Sequence, residues 1–339
     1  MSPPPALSVL TAVRDGLPHL EAAVASIRAQ TLEDWEWVIV DDGSRDGTAA
    51  RLDDWARRDP RLRVVHRPPR GLVATLNDGL ALCRAPVVAR MDADDVARPE
   101  RLAAQASFMA EHPGIAAADT QVALTGGTRN AGMRAYVDWV NAHATPESIA
   151  DDLFVESPLV HPAVCFRAEA VRAAGGYRDG DFPEDYDLWL RLHARGHRLG
   201  KLPAVLLDWR DGPRRLSRTD PRYRRAAFLR LRQEHLAALE GGALRGAGLA
   251  LWGATRLARP WRQWLRALGA RPEFVLELDP RRIGRRILGA PVVPVDEAAR
   301  RDWRYLLVTV SGIAARATIR AQLAAWGLGG ATGRRVRCV

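Results

Sequence analysis

At 339 residues, with 47% hydrophobic and 27% charged side chains, the chain has ordinary globular composition and length for about two domains, which excludes disorder as its default state. Its cysteines, Cys83, Cys165 and Cys338, form no C-x-x-C pair, which excludes a disulfide framework and a cysteine zinc site and fits a reducing compartment. The formal charge of +10 attracts phosphates in general, but every basic residue except Lys201 is arginine, a skew read here as coding composition, so nucleic acid is not an expected partner.

The first half alternates apolar runs with amphipathic stretches, the pattern of strands feeding helices in a mostly parallel sheet. Strands are expected at Leu7 to Val13, Trp35 to Val40, Leu62 to His66 and Ala85 to Met91. Helices are expected at Pro18 to Gln30, Thr48 to Arg57 and Gly71 to Cys83. A helix from Pro99 to Glu111 and a strand from Gly114 to Ala118 follow, whereas residues 121–150 are mixed in character. Leu159 to Arg167 reads as a strand, Gly175-Gly176 as a turn, Pro183 to Arg195 as a helix and Arg198 to Leu207 as a strand. An arginine-dense helical segment ends at Gly241-Gly242, read as a hinge. A second alternation then places strands at Leu249 to Trp252, Phe274 to Leu278 and Tyr305 to Val310, with helices at Thr255 to Leu268 and Ala314 to Trp326. The expected division is a first α/β domain over residues 1–210, a helical linker over 211–246 and a small second α/β domain over 247–339.

No run approaches the roughly 18 apolar residues of a spanning helix. The start, Met1-Ser2-Pro3-Pro4-Pro5, lacks the charged and apolar regions of a secretion signal, so a cytoplasmic location is expected. The single lysine lies outside any Walker-type loop, and neither H-E-x-x-H nor G-x-S-x-G occurs.

Ligands of open α/β sheets bind beyond the carboxyl ends of the strands, so acids placed there carry information. Asp41-Asp42-Gly43-Ser44 fits a polar turn as well as a ligand contact. Asp92-Ala93-Asp94-Asp95 is different, because three carboxylates in four residues repel one another unless a cation sits among them, and Mg²⁺ or Mn²⁺ resolves the conflict with phosphate oxygens completing its shell. The alternative, an Asp capping the next helix, needs one acid and not three. In Glu184-Asp185-Tyr186-Asp187 the acids fit both a helix first turn and a general base. His161, before Pro162, reads as structural, and Trp35, Trp37 and Trp189 as core or rim.

Leu7-Ser8-Val9-Leu10-Thr11-Ala12-Val13, Ala25-Ser26-Ile27-Arg28-Ala29-Gln30-Thr31 and Val38-Ile39-Val40-Asp41-Asp42-Gly43-Ser44 resemble the start of a family 2 glycosyltransferase of the GT-A fold. Arg70-Gly71-Leu72, Asn77, Asp92-x-Asp94-Asp95 with Pro99-Glu100-Arg101-Leu102, His161-Pro162 and Gly175-Gly176-Tyr177-Arg178 before Glu184-Asp185 continue the match in order over residues 6–208. The resemblance implies inverting transfer of one sugar from a nucleotide-diphosphate sugar, with uridine diphosphate as the carrier, to a saccharide or lipid-linked acceptor. It implies that Ala12, Val13 and Arg14 line the nucleoside, that Asp42 accepts from the base, and that Gly71, Asn77 and Asp92 complete the donor site. Asp94 would hold Mg²⁺ or Mn²⁺, with Asp185 and the adjacent Glu184 as the catalytic acids and Asp185 as the base. Relatives often carry Tyr-Asn or Arg-Asn where this chain has Arg14-Asp15, and the Q-x-x-R-W element of processive members is missing.

Leu249 to Ala258 stands where a Rossmann phosphate loop would be, but Thr255 replaces the middle glycine, so a scaffold or oligomer-forming role is preferred for that domain. The arginines between Arg214 and Arg232 fit a solvated helix face or contact with an anionic membrane, the latter placing the protein at the inner membrane face. A catalytically idle nucleotide-sugar binder and a nucleotidyltransferase are the alternatives; the second lacks the Gly-rich basic loop it needs.

Overall fold

The structure, a computed structural model, describes residues 3–17, 19–126, 131–213, 215–328 and 334–339. Met1 and Ser2, Pro18 of the expected first helix, residues 127–130 and Arg214 of the arginine-dense segment lie outside the described residues. The chain forms two compact units, one of residues 1–150 and 157–227 and one of residues 151–156 and 228–339.

The first unit opens with the expected alternation: β1 (Leu7–Val13), α1 (Leu20–Arg28), β2 (Trp35–Asp41), α2 (Thr48–Arg58), β3 (Leu62–His66), α3 (Leu72–Leu82) and β4 (Val87–Arg90). Every residue of β2 is buried, as an interior strand of a sheet covered on both faces requires. In α1, Leu20, Ala23, Val24 and Ile27 make one buried stripe at helical spacing. After β4 come β5 (Val96–Ala97), α4 (Arg101–Glu111), β6 (Ile115–Thr125), α5 (Ala131–Asn141), α6 (Pro146–Asp152), β7 (Cys165–Arg167), α7 (Ala168–Ala173), α8 (Glu184–Ala194) and β8 (Arg198–Arg210). One sheet orders these strands β3-β2-β1-β4-β7-β6-β8-β5. Strands β3, β2, β1 and β4 are parallel, as are β6 and β8, while β7 runs antiparallel to both its neighbours. The chain is thus the mixed α/β, mostly parallel structure expected of a GT-A domain, followed by a second sheet.

Two expectations change. The strand from Leu159 to Arg167 shrinks to β7, because Pro162 has no N–H for a ladder and residues 161–163 form a 3₁₀ turn instead. Gly241-Gly242 is not a hinge: it lies within one continuous helix, α10 (Arg225–Arg245), which follows the short α9 (Leu216–Thr219). The neighbouring Glu240 is buried and binds the Tyr305 hydroxyl and Arg337, so packing holds the glycine pair in the helix.

The second unit continues with β9 (Leu249–Trp252), α11 (Arg259–Ala267), β10 (Phe274–Glu277), β11 (Arg286–Ile287), β12 (Ala290–Pro294), α12 (Glu297–Arg300), β13 (Tyr305–Val308), α13 (Ile313–Ala325) and β14 (Arg335–Cys338). Its sheet is ordered β11-β12-β10-β9-β13-β14 and is parallel apart from the β11–β12 hairpin. Helix α11 begins later than expected, because a 3₁₀ turn at Arg256–Ala258 precedes it. Among the described residues, no helix is long and apolar enough to cross a membrane.

The one lysine is a structural element of the first unit. Lys201 Nζ sits 2.5 Å from Asp119 Oδ1, both side chains fully buried, and Asp119 Oδ2 accepts the Val160 N–H at 2.9 Å. This joins β6 and β8 to the start of the His161 turn. Burial raises the Asp119 carboxyl, with Lys201 opposing the rise. Lys201→Ala would leave a buried carboxylate without its cation, and a loss of about 3–5 kcal/mol is expected in urea unfolding.

Candidate active site

The carboxyl edges of β1, β2 and β4 carry the candidate residues. Asp42 is buried and donates its N–H to the Val13 carbonyl at 2.8 Å. Its carboxylate accepts from the backbone N–H groups of Arg70 (2.6 Å) and Gly71 (3.0 Å), so it fastens the entry of α3. Gly71 takes φ +88° there, with open space where a Cβ would stand. Ala12 is half-buried and Arg14 exposed, whereas the Val13 side chain is in the core. Only the backbone of Val13 is therefore offered to a ligand.

Asn77 is held at both ends of its amide. Its Nδ2 donates to the Tyr177 carbonyl (2.8 Å) and its Oδ1 accepts the Tyr177 N–H (2.9 Å). A Cβ on Gly176 would lie 2.5 Å from Asn77 Oδ1, which explains the glycine at φ +67°. Asn77 and Gly71 line a cavity of about 360 Å³ with Arg70, Tyr177, Asp179 and Arg222.

Beyond β4, Asp92, Asp94 and Asp95 bring carboxylate oxygens within 4.8 Å of one another. Burial and then Asp92 raise the Asp94 carboxyl above its ordinary range. Asp95 is raised further, by burial and then by Asp92 and Asp94. Asp92 moves the other way: burial works to raise it, but the buried guanidinium of Arg90, which donates to Asp92 Oδ1, wins. Asp95 Oδ1 accepts the Arg210 N–H at 2.7 Å, while its buried Oδ2 has no hydrogen-bond partner among the described residues. A buried, unpartnered carboxylate oxygen among three hard donors suits a divalent cation.

The two acids that open α8 occupy different environments. Glu184 is buried and accepts from the Tyr223 hydroxyl at 2.7 Å. Asp185 keeps part of its surface open to solvent, and one of its oxygens accepts the Tyr186 N–H at 2.7 Å. Protein around that carboxyl, and then the charge of Glu184, push its pKa up to about 8. Asp187 pairs with Arg191 (2.7 Å), whose other nitrogens bond the Ala174 and Gly176 carbonyls, so this third acid holds the Gly175-Gly176 turn. His161 is a neutral imidazole with only its rim exposed, brought down to about 3 by burial and then Arg90. Its Nε2 lies 2.9 Å from the Tyr177 hydroxyl. Trp35, Trp37 and Trp189 are core residues.

Sequence reasoning grouped Asp95 with Asp92 and Asp94 but gave it no role of its own, and it missed the arginines that compensate the acids. Arg90 had a signal, a charge inside the apolar strand Val87-Val88-Ala89. Arg215 stacks on Trp209 with its guanidinium carbon 4.1 Å from the ring centroid, and its charge favours ionisation of Asp92, Asp94 and Asp95. Arg218 donates to both oxygens of Asp211 at 2.6 Å. These arginines are therefore committed to carboxylates of the first unit rather than to a uniformly solvated face. Tyr223 had no signal at all.

The glycosyl transferase family 2 model matches residues 8–172. The amylovoran biosynthesis glycosyltransferase AmsE of Erwinia amylovora is 34% identical over 204 residues, 57% of this chain and 71% of that one. The chain belongs to glycosyl transferase family 2. It is therefore a transferase. Another relative, the O-antigen biosynthesis glycosyltransferase WbnJ of Escherichia coli, is 28% identical over 207 residues, 60% of this chain and 79% of that one. The fold is shared with the S. aureus protein TarS, solved with UDP-GlcNAc, at TM-score 0.57 and 15% identity over 69% of this chain and 67% of that one. It is shared as well with the mannosyltransferase PcManGT of Pyrobaculum calidifontis, solved with GDP-Man and Mn²⁺, at TM-score 0.50 and 21% identity over 78% and 69%.

Tyr223→Phe removes the one hydroxyl that satisfies Glu184 Oε2. A destabilisation of about 1–3 kcal/mol is expected in denaturant unfolding, with little change in the volume of the side chain to obscure it.

Proposed function

We propose that this family 2 enzyme transfers a single sugar, with inversion, from a uridine diphosphate sugar to a hydroxyl of a saccharide or lipid-linked acceptor in cell-surface polysaccharide synthesis. The observation that carries the reading is the carboxylate trio at the end of β4, with its orphaned Asp95 oxygen, on the sheet edge that also presents Asp42. The relatives in amylovoran and O-antigen synthesis support the setting. The nucleotide sugars named with TarS and PcManGT support the donor class, one carrying uridine and the other guanosine.

Asp94, with Asp92 and Asp95, would hold Mg²⁺ or Mn²⁺, which when bound neutralises charge on the leaving diphosphate. Asp42 accepts from the base with the lone pairs left over from Arg70 and Gly71, and the backbone of Ala12 to Arg14 flanks the nucleoside. Asp185 takes the acceptor proton as the acceptor oxygen bonds to the anomeric carbon and the bond to the diphosphate breaks, its electron pair leaving with the diphosphate. One displacement inverts that carbon. Glu184, whose carboxylate accepts the Tyr223 hydroxyl, raises Asp185 through its negative charge. Asn77 serves by fixing the Tyr177 turn beneath these acids.

Asp94→Asn should abolish Mn²⁺-dependent donor binding measured by calorimetry, because an amide cannot offset a divalent cation. Asp185→Asn should keep donor binding while kcat falls about 10²- to 10⁴-fold. Donor binding lost in both variants alike would remove the separate role of Asp185. Because the base acts when ionised and its pKa is raised, kcat should climb with pH from about 6 toward about 9, and this limb should vanish in the residual activity of Asp185→Asn.

A further inference from the structure

A cavity of about 420 Å³ in the second unit lies between α11 and the β11–β12 hairpin, lined by Arg259, Arg262, Gln263, Arg266, Arg286, Ile287 and Leu288. Arg259, Arg262, Gln263 and Arg266 follow i, i+3, i+4, i+7 spacing and share one face of α11, opposite the buried Trp261 and Leu265. Arg286 approaches from the hairpin. Four guanidinium groups thus converge on one concavity, and among the described residues none of them forms an ion pair with a carboxylate.

Other arginines of the same unit behave differently: Arg281 pairs with Asp279, Arg282 with Glu277, Arg301 with Glu297 and Arg337 with Glu240. Two of the cavity arginines donate to neutral carbonyls, Arg262 to Thr255 (2.8 Å) and Arg286 to Gly289 (3.0 Å), which aims these groups without neutralising them. Arg262 is half-buried, and burial, then Arg259 and Arg282, lower its pKa from the ordinary value. Ile287 and Leu288 add apolar surface beside Arg286 on the opposite wall. Leu288 takes φ +53° beside Gly289 at +82°, a two-residue turn in which a leucine holds the left-handed backbone that favours glycine and stands at the cavity wall.

We propose that this cavity binds a small molecule carrying two or more phosphates beside a flat or apolar moiety, a nucleoside di- or triphosphate in class. The phosphates lie along the arginine face of α11 and the moiety covers Ile287 and Leu288. Guanidinium forks match phosphate oxygens in geometry and charge, and the volume is in the range of small-ligand sites. The cavity is lined by residues of the second unit alone, and that unit becomes a place where a nucleotide is sensed rather than a scaffold alone.

The test is calorimetric titration of the full chain with adenosine triphosphate and with inorganic pyrophosphate, both without divalent cation. Arg262→Gln/Arg266→Gln should weaken both ligands by at least about tenfold, Arg262→Lys/Arg266→Lys should retain part of the affinity, and Asp94→Asn should bind like the parent. No binding by the parent, or equal binding by the parent and the glutamine variant, would overturn the proposal. So would binding lost in Asp94→Asn but kept in the glutamine variant, which would place it in the first unit. Vesicles containing phosphatidylglycerol form the last arm: arginine-dependent vesicle binding that adenosine triphosphate fails to displace would assign the charge to a lipid surface and also overturn the proposal. Failure of metal-dependent donor binding alone would count against the transfer reading and not against this one.

Discussion

The site is organised by the balance between three crowded carboxylates and the guanidinium groups beneath them. Arg90 and Arg101 are both buried, one pairing with Asp92 and the other donating to the carbonyls of Arg90 (2.6 Å) and Pro162 (2.7 Å). Burial lowers Arg101 to about 10, which still leaves it a cation at neutral pH. Together they anchor the end of β4 to the His161-Pro162 turn and set a positive field under Asp92. Asp94 and Asp95 receive less of that compensation, and the remaining negative charge is what a divalent ion or a cationic partner would meet.

The segment after β8 adds a second layer to this balance. Arg215 brings a charge to the trio, Arg218 occupies Asp211, and Tyr223 reaches Glu184 at the start of α8. A stretch that looks like a featureless run of arginine along the chain is thus tied at successive points to acids of the first unit. Charge patterning alone gives little hint of this, because apart from Asp211 the acids it meets are distant in sequence and reach it only through the sheet.

Most of the sheet was legible because parallel strands buried on both faces, such as β2, announce themselves as apolar runs, and the acids that follow them announce the carboxyl edge. Gly71 and Asp42 were legible as candidate site residues, but their mutual hydrogen bond, which makes Asp42 a fixture of α3, was not. The turn at His161-Pro162 was hidden within a run that has the composition of a strand, and only the missing N–H of Pro162 betrays it. Gly241-Gly242 misled for the opposite reason: glycine permits a hinge without requiring one, and Glu240 packed beside it decides for the helix. The β11–β12 hairpin and β14, of two to five residues, were missed because arginine or proline interrupts the apolar run in each.

The burial of Lys201 has a consequence for the outer surface. With its only lysine side chain sealed against Asp119, the described protein presents no side-chain amine to solvent, and its outward positive charge is guanidinium, joined by histidine when protonated. Acetylation at lysine has no exposed target from which to remove charge, and no lysine titration softens the surface as conditions become alkaline. Its pull on phosphate-bearing molecules is correspondingly insensitive to alkalinity, and ionic strength is the variable left to modulate it.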